Sequence, residues 1–207
     1  MRAALTAAYR ALGAAGLIAG SAGNVSVRDG AGMLISPTGT SPERIDEAGI
    51  VGMALDRAAP RASSEWALHG RLYAARPEFQ AIVHTHADAC TALACLGEGL
   101  PAFHYEVLVF GGGDVRCAPY TTFGTPALAA VTVAAMEGRW ACLLGNHGMI
   151  AAGATLEKAM GNAVHLERLC RQYLLARAAG RPRLLTGVEV AEALVRFRTY
   201  HAGASGG

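Results

Sequence analysis

Ala81-Ile82-Val83-His84-Thr85-His86 places two histidines one residue apart at the end of a short apolar run. Ala81 to Val83 has the composition of a buried strand. Successive side chains on a strand point to opposite faces, so residues two apart share a face. Both imidazoles therefore leave the strand's end together, which is how a chain offers two neutral nitrogens to one divalent metal. Taken alone, His-x-His is also the pattern of two surface or hydrogen-bonded histidines. A third histidine, His147, sits in a comparable setting in Leu143-Leu144-Gly145-Asn146-His147-Gly148, and an acid, Glu65, lies in Ser63-Ser64-Glu65-Trp66. Three histidines and a carboxylate suit Zn²⁺, whose catalytic sites keep three protein ligands and one exchangeable position.

Composition narrows the classes. A length of 207 residues, 52% of them apolar, suffices for one large domain, and 1–207 reads as a single domain with no linker and no internal repeat. Only 16% of residues are charged, and the abundance of Ala and Gly suggests surface covered by other subunits. A net charge of +2, with no basic run and no aromatic-interleaved basic stripe, argues against nucleic acid. The five cysteines, Cys90, Cys95, Cys117, Cys142 and Cys170, are odd in number and lack the paired spacing of a zinc knuckle. They read as reduced residues of a cytoplasmic protein. The Ala-rich start from Met1 to Gly20 is interrupted by Tyr9 and Arg10, so no leader-like apolar core forms. No stretch has the length of a membrane span.

Along the chain, Arg2 to Ala15 reads as a helix stopped near Gly13 and Gly16. Asn24 to Arg28 alternates, Asp29-Gly30 turns, and Met33 to Ser36 returns as a hairpin. Ile50 to Leu55 reads as a strand, and Ser64 as the cap of a helix from Glu65 to Ala75. Beyond the His84 strand come a helix from Asp88 to Leu96 with Asp88 as its cap, a Gly-rich bend at Gly111 to Asp114, and a strand near Val115 to Cys117. Pro126 to Glu137 reads as a helix, Trp140 to Leu144 as a strand, and Leu156 to Ala178 and Val188 to Tyr200 as helices. Hairpins mixed with helices predict an α/β fold with a mixed, largely antiparallel sheet and helices on both faces.

Six motifs stand in order: Gly23-Asn24-Val25-Ser26, Ser36-Pro37-Thr38-Gly39, Ser63-Ser64-Glu65-Trp66, His84-Thr85-His86, Ala118-Pro119-Tyr120-Thr121-Thr122-Phe123-Gly124 and Asn146-His147-Gly148. Together they resemble the class II aldolase/adducin family, most of all its L-fuculose-1-phosphate aldolase branch, from about residue 3 to Tyr200. The resemblance implies a three-layer α/β/α subunit, a homotetramer, and one zinc ion per subunit, or another divalent ion in its place, near the boundary between neighbours. It makes His84, His86 and His147 the ligands and Glu65 the catalytic acid, which can also ligate the resting metal. It puts Asn24, Thr38, Gly39, Ser63 and Ser64, with Gly23 beside them, on the substrate phosphate. That agrees with the residue types, since Gly and hydroxyl-rich loops present N–H and O–H donors to an anion without any Lys or Arg. Tyr105 matches a tyrosine that reaches across the subunit boundary to the aldehyde oxygen. Phe123 and Tyr200 match aromatic positions that shape the aldehyde pocket.

The implied reaction is zinc-dependent retro-aldol cleavage of a ketose 1-phosphate, L-fuculose 1-phosphate or a 5-deoxy-pentulose 1-phosphate, to dihydroxyacetone phosphate and an aldehyde. Burial of Glu65, once off the metal, is expected to raise its carboxyl pKa and suit proton exchange. The same scaffold also supports a sugar-phosphate epimerase, a methylthioribulose-1-phosphate dehydratase, a sugar-acid phosphate decarboxylase, or a non-catalytic adducin-like interaction module. His69, four residues after Glu65, reads as structural, through a pair with Glu65 or as a polar core residue. His104, His165 and His201 have no motif support, Cys90 reads as packing, and Lys158, the only lysine, as structural.

Overall fold

The computed structural model describes residues 1–204, and for 198–204 the backbone alone. Its core is a seven-stranded sheet in the order β3-β2-β1-β4-β9-β8-β7. The strands are β1 (Gly23–Asp29), β2 (Gly32–Ile35), β3 (Val51–Ala54), β4 (Ala81–Thr85), β7 (Cys117–Ala118), β8 (Ala141–Leu144) and β9 (Gly148–Gly153). Every neighbouring pair is antiparallel except β7–β8, which is parallel. The sheet is therefore mixed and largely antiparallel. A separate ribbon pairs β5 (Leu100–Pro101) with β6 (Asp114–Val115).

Strand alternation sorts the core into two layers. Val25, Val27, Ala81, Val83, Met149 and Ala151 face one side, where they pack with apolar residues of α1 (Arg2–Ala14), α3 (Asp88–Cys95) and α5 (Leu156–Ala179). Ile82, Ile150, Ala152, Cys142 and Leu144 face the other, against α2 (Trp66–Ala75) and α4 (Pro126–Ala135). This is a three-layer α/β/α architecture, and each fully buried Leu, Ile or Val contributes roughly 1.5–3 kcal/mol of apolar burial. A last helix, α6 (Gly187–Ala204), packs against the 3₁₀ turn Tyr105–Phe110. Among the described residues no helix is long and apolar enough to cross a membrane.

The same alternation positions polar groups. On β1, Asn24, Ser26 and Arg28 share the α2 face, and on β4 so does His84, two residues from Ile82. Asn24 and His84 are direct partners in the β1–β4 register. Close approach at that point requires glycine beside it: Gly23 has φ of 141°, and a Cβ there would meet the His84 carbonyl oxygen at 2.9 Å.

Several expectations are corrected. Ser64 is exposed and does not cap α2: Glu65 occupies the cap position without a side-chain cap, while the Ser63 hydroxyl takes the Glu65 N–H at 3.3 Å. Asp88 lies within the first turn of α3 and not at its cap, which is Ala87. The first N–H groups of α3, those of Ala89 and Cys90, are instead satisfied by the Glu167 carboxylate at 2.8 and 2.9 Å. Long-range capping of this kind leaves no local signal. The segment near Val115 to Cys117 is two short strands in different sheets, β6 and β7. Strand β9 escapes sequence reading because all six of its residues are buried, so no alternation marks it.

Candidate active site

His84 sits at the end of β4 and His86 just beyond it, while His147 lies in the turn between β8 and β9. That turn is shaped by Asn146 in the left-handed region (φ 53°), with its N–H bonded to the Ala94 carbonyl at 3.2 Å. The three rings meet edge to face with centroids 4.8–4.9 Å apart, and one nitrogen from each lies within 4.8 Å of the others. His84 is buried, His147 partly so, and His86 exposed toward the cleft. Glu65, at the start of α2, closes the fourth side: Oε2 is 3.0 Å from His84 Nε2, and Oε1 is 3.4 Å from His147 Nε2.

The donor set fits a divalent cation. His84 Nδ1 lies 2.9 Å from the Met149 carbonyl oxygen, which can only accept, so Nδ1 carries the proton. The Nε2 lone pair of a neutral His84 then faces His86 Nε2 at 3.0 Å and the Glu65 carboxylate, an arrangement that needs a positive charge between them. Tetrahedral zinc at ~2.0–2.1 Å from each nitrogen would space its ligands roughly 3.3 Å apart, close to the 3.0 Å between His84 and His86 and the 3.0 and 3.4 Å from Glu65 to His84 and His147. Glu65 Oε1 and His147 Nδ1 are also buried without a hydrogen-bond partner. The ring nitrogen bonded to a carbonyl is the outer-sphere contact that fixes a metal-binding tautomer.

Electrostatics follow from the packing. Burial, then the charge on His84, holds His147 down at about 4, and the same two causes lower His86. These two ligands stay neutral, as coordination requires. Burial also disfavours charge on His84, but the Glu65 carboxylate and the Met149 carbonyl outweigh it and raise its pKa. Burial pushes the Glu65 carboxyl up, yet His84, His147 and the Asn24 amide outweigh it and hold it well below the usual carboxylate range. The raised pKa expected from burial alone is thus reversed while Glu65 faces the histidines.

A cleft of about 350 Å³ opens above this cluster. Gly23, Asn24, Thr38, Gly39, Ser63, Ser64 and Phe123 all line it, so the predicted anion-holding residues are brought together from three separate segments, with Phe123 from a fourth. Among its lining residues there is no Lys or Arg. Tyr120, Thr121 and Asn146 line it as well. The motifs contain these three but mark no role for them, and Tyr120, 62% exposed, joins Phe123 as a cleft aromatic. Tyr105 is not in this cleft: it is half exposed and stacks between His104 (centroids 4.8 Å) and Phe197 (6.0 Å). Tyr200 lies in α6, with its side chain outside the described residues, as is that of His201.

His69 is not paired with Glu65. Fully buried, its ring bonds Asn24 and Ser26, and burial drives its pKa down to about 3, so it is neutral. His104 and His165 instead gather around Glu106, His165 at 3.0 Å, with Arg168 at 2.5 Å.

Residues 3–174 match the family model described as class II aldolase and adducin N-terminal domain. The chain is 44% identical over 203 residues to the 5-methylthioribulose-1-phosphate/5-deoxyribulose-1-phosphate aldolase of Rhodospirillum rubrum, covering 97% of this chain and 92% of the relative. It is 43% identical over 189 residues to the L-fuculose phosphate aldolase of Escherichia coli K12, covering 89% and 88%. A solved structure of an L-fuculose 1-phosphate aldolase superposes with a TM-score of 0.89 at 37% identity, covering 95% of both chains.

Proposed function

Because this chain belongs to the class II aldolase and adducin N-terminal domain family, we propose that it is a zinc-dependent aldolase acting on a ketose 1-phosphate. The reaction would be reversible cleavage of the C3–C4 bond to dihydroxyacetone phosphate and an aldehyde. The observation that carries this reading is the convergence of His86, His147 and Glu65, with the buried His84 behind them, at one cleft lined by hydroxyls and glycines. A non-catalytic interaction head would have no use for three imidazoles converging on one point against a buried carboxylate.

His84, His86 and His147 would hold the ion, with Glu65 as a further ligand before substrate arrives. When bound, zinc supplies Lewis-acid polarisation of the substrate carbonyl and stabilises the electrons left by C–C cleavage. The loops carrying Gly23, Thr38, Gly39, Ser63 and Ser64 bind the phosphate through N–H and O–H donors, which anchors the ketose end over the histidines. Glu65, once released from the cluster, gives and takes the proton at the dihydroxyacetone phosphate carbon. Phe123 shapes the side of the cleft toward the aldehyde.

Tyr105 would handle the proton on the C4 oxygen, and Tyr200 would wall the aldehyde end. Tyr105 lies outside the cleft of its own chain, so this role would need a neighbouring copy, as in the homotetramer with shared sites that we propose. The five free cysteines support a cytoplasmic setting.

The aldehyde is the open variable, since the methylthioribulose/deoxyribulose and fuculose relatives stand at 44% and 43% identity. The test is a panel of L-fuculose 1-phosphate, 5-deoxyribulose 1-phosphate and 5-methylthioribulose 1-phosphate, followed through dihydroxyacetone phosphate by coupled NADH oxidation. The expected result is release from at least one, the fastest naming the aldehyde. Loss of water or epimerisation without any release, from zinc-loaded protein, would replace the aldolase reading with another reaction on the same scaffold.

A further inference from the structure

Behind the cleft, five buried side chains form one hydrogen-bonded line ending on Glu65. Asn24 Nδ2 lies 3.1 Å from Glu65 Oε2, and Asn24 Oδ1 lies 2.5 Å from His69 Nε2. His69 Nδ1 is 2.6 Å from Ser26 Oγ, which is 2.9 Å from the Tyr73 hydroxyl. The five side chains come from only two elements and the turn before one of them: Asn24 and Ser26 share a face of β1, while His69 and Tyr73 follow Glu65 at intervals of four residues on α2. A period of two on the strand is thereby matched to a period of four on the helix.

The donor at each link follows by elimination. An ionised carboxylate only accepts, so the Asn24 nitrogen must face it. The amide oxygen then faces His69 and only accepts, so His69 Nε2 carries a proton. A neutral imidazole has its other nitrogen bare, so the Ser26 hydroxyl donates to Nδ1 and the Tyr73 hydroxyl donates to Ser26. Every donor in the line points toward Glu65, and each link pairs one donor with one acceptor, as a buried polar network requires. The opposite arrangement, with the His69 proton on Nδ1, would turn the Asn24 amide over and set its oxygen against the carboxylate.

We propose that His69 is a positioning residue for the reaction: its Nε2–H locks the Asn24 amide nitrogen onto Glu65 Oε2 and thereby reserves Glu65 Oε1 as the oxygen that carries the proton. Oε1 is the oxygen that is buried without a hydrogen-bond partner. The proposal rests on the reading of Glu65 as the proton-exchanging group. It gives His69 a role that neither a pair with Glu65 nor plain core packing would provide.

Two experiments test it separately from the aldolase reading. Neutron diffraction from the zinc-loaded protein is expected to show deuterium on His69 Nε2 and none on Nδ1, with the Asn24 nitrogen toward Glu65. Deuterium on Nδ1, or an Asn24 oxygen facing Glu65, would overturn the proposal whether or not the protein is active. In solution, His69→Leu is expected to slow solvent exchange of the dihydroxyacetone phosphate proton at saturating ligand by roughly 10–100-fold, the usual effect of removing an outer-sphere partner, while zinc is retained. His69→Gln, whose amide can still donate to Asn24, restores part of that rate, whereas a merely space-filling role would leave the two variants alike. A folded, zinc-loaded His69→Leu exchanging at the wild-type rate would overturn the proposal. If that variant does not fold, Ser26→Ala, which removes the donor to Nδ1, is expected to slow exchange, and an unchanged rate would count equally against it. Absence of exchange in the wild type itself would instead remove the aldolase reading and leave the neutron result to decide the relay.

Discussion

Replacing His84 with alanine is expected to abolish both metal binding and aldol cleavage. The imidazole is buried at the meeting point of the cluster, contacting His86, Glu65 and the Met149 carbonyl, so its removal takes away a ligand and opens a gap between the other two. Lewis-acid stabilisation is worth several kcal/mol, and ~4 kcal/mol corresponds to about 10³-fold in rate, so cleavage should fall by at least that factor. The Met149 carbonyl also loses the hydrogen bond from His84 Nδ1, which costs about 0.5–1.5 kcal/mol and should lower Tm without unfolding the sheet. Metal content by atomic emission and cleavage rate are measured on the same sample. A metal-free His84→Ala protein with full activity would remove the histidine cluster from the mechanism.

Glu65→Gln gives the second large effect and separates binding from chemistry. The amide has the carboxylate's shape and keeps a hydrogen bond with Asn24, but it cannot hold an exchangeable proton at neutral pH. General acid–base catalysis contributes about 10²–10⁴-fold, so exchange of the dihydroxyacetone phosphate proton into solvent should fall within that range. Binding of dihydroxyacetone phosphate, followed by calorimetry, should persist, because the phosphate-holding loops are untouched. Exchange at the normal rate in this variant would assign the proton to another group.

Much of this site is legible in the sequence because the features that build it are local. Period-two alternation puts His84 and His86 together, and the polar residues of the Gly23 to Ser26 segment onto the same face. The hairpin turn at Asp29-Gly30 and the main helices are read from residue types alone. What escapes is decided by distant partners. Strand β9 is buried on both sides at the centre of the sheet, so its Gly- and Ala-rich run carries no periodic signal. The cap of α3 is a carboxylate on α5, and the sequence-based cap, Asp88, fails for that reason. His69 shows the same limit most sharply. Its spacing from Glu65 suggests a pair along the helix, but the side chain turns to Asn24 and Ser26, across the gap between α2 and β1. Tyr105 stands apart from the cleft, since its aromatic partners are His104 and Phe197.

Metal titration of cleavage is the most direct test of the central claim. Protein stripped with a chelator and dialysed should release no dihydroxyacetone phosphate from its best ketose 1-phosphate. Adding Zn²⁺ should restore release linearly, to a plateau at one ion per subunit. Undiminished release from protein shown by elemental analysis to carry no metal would contradict it.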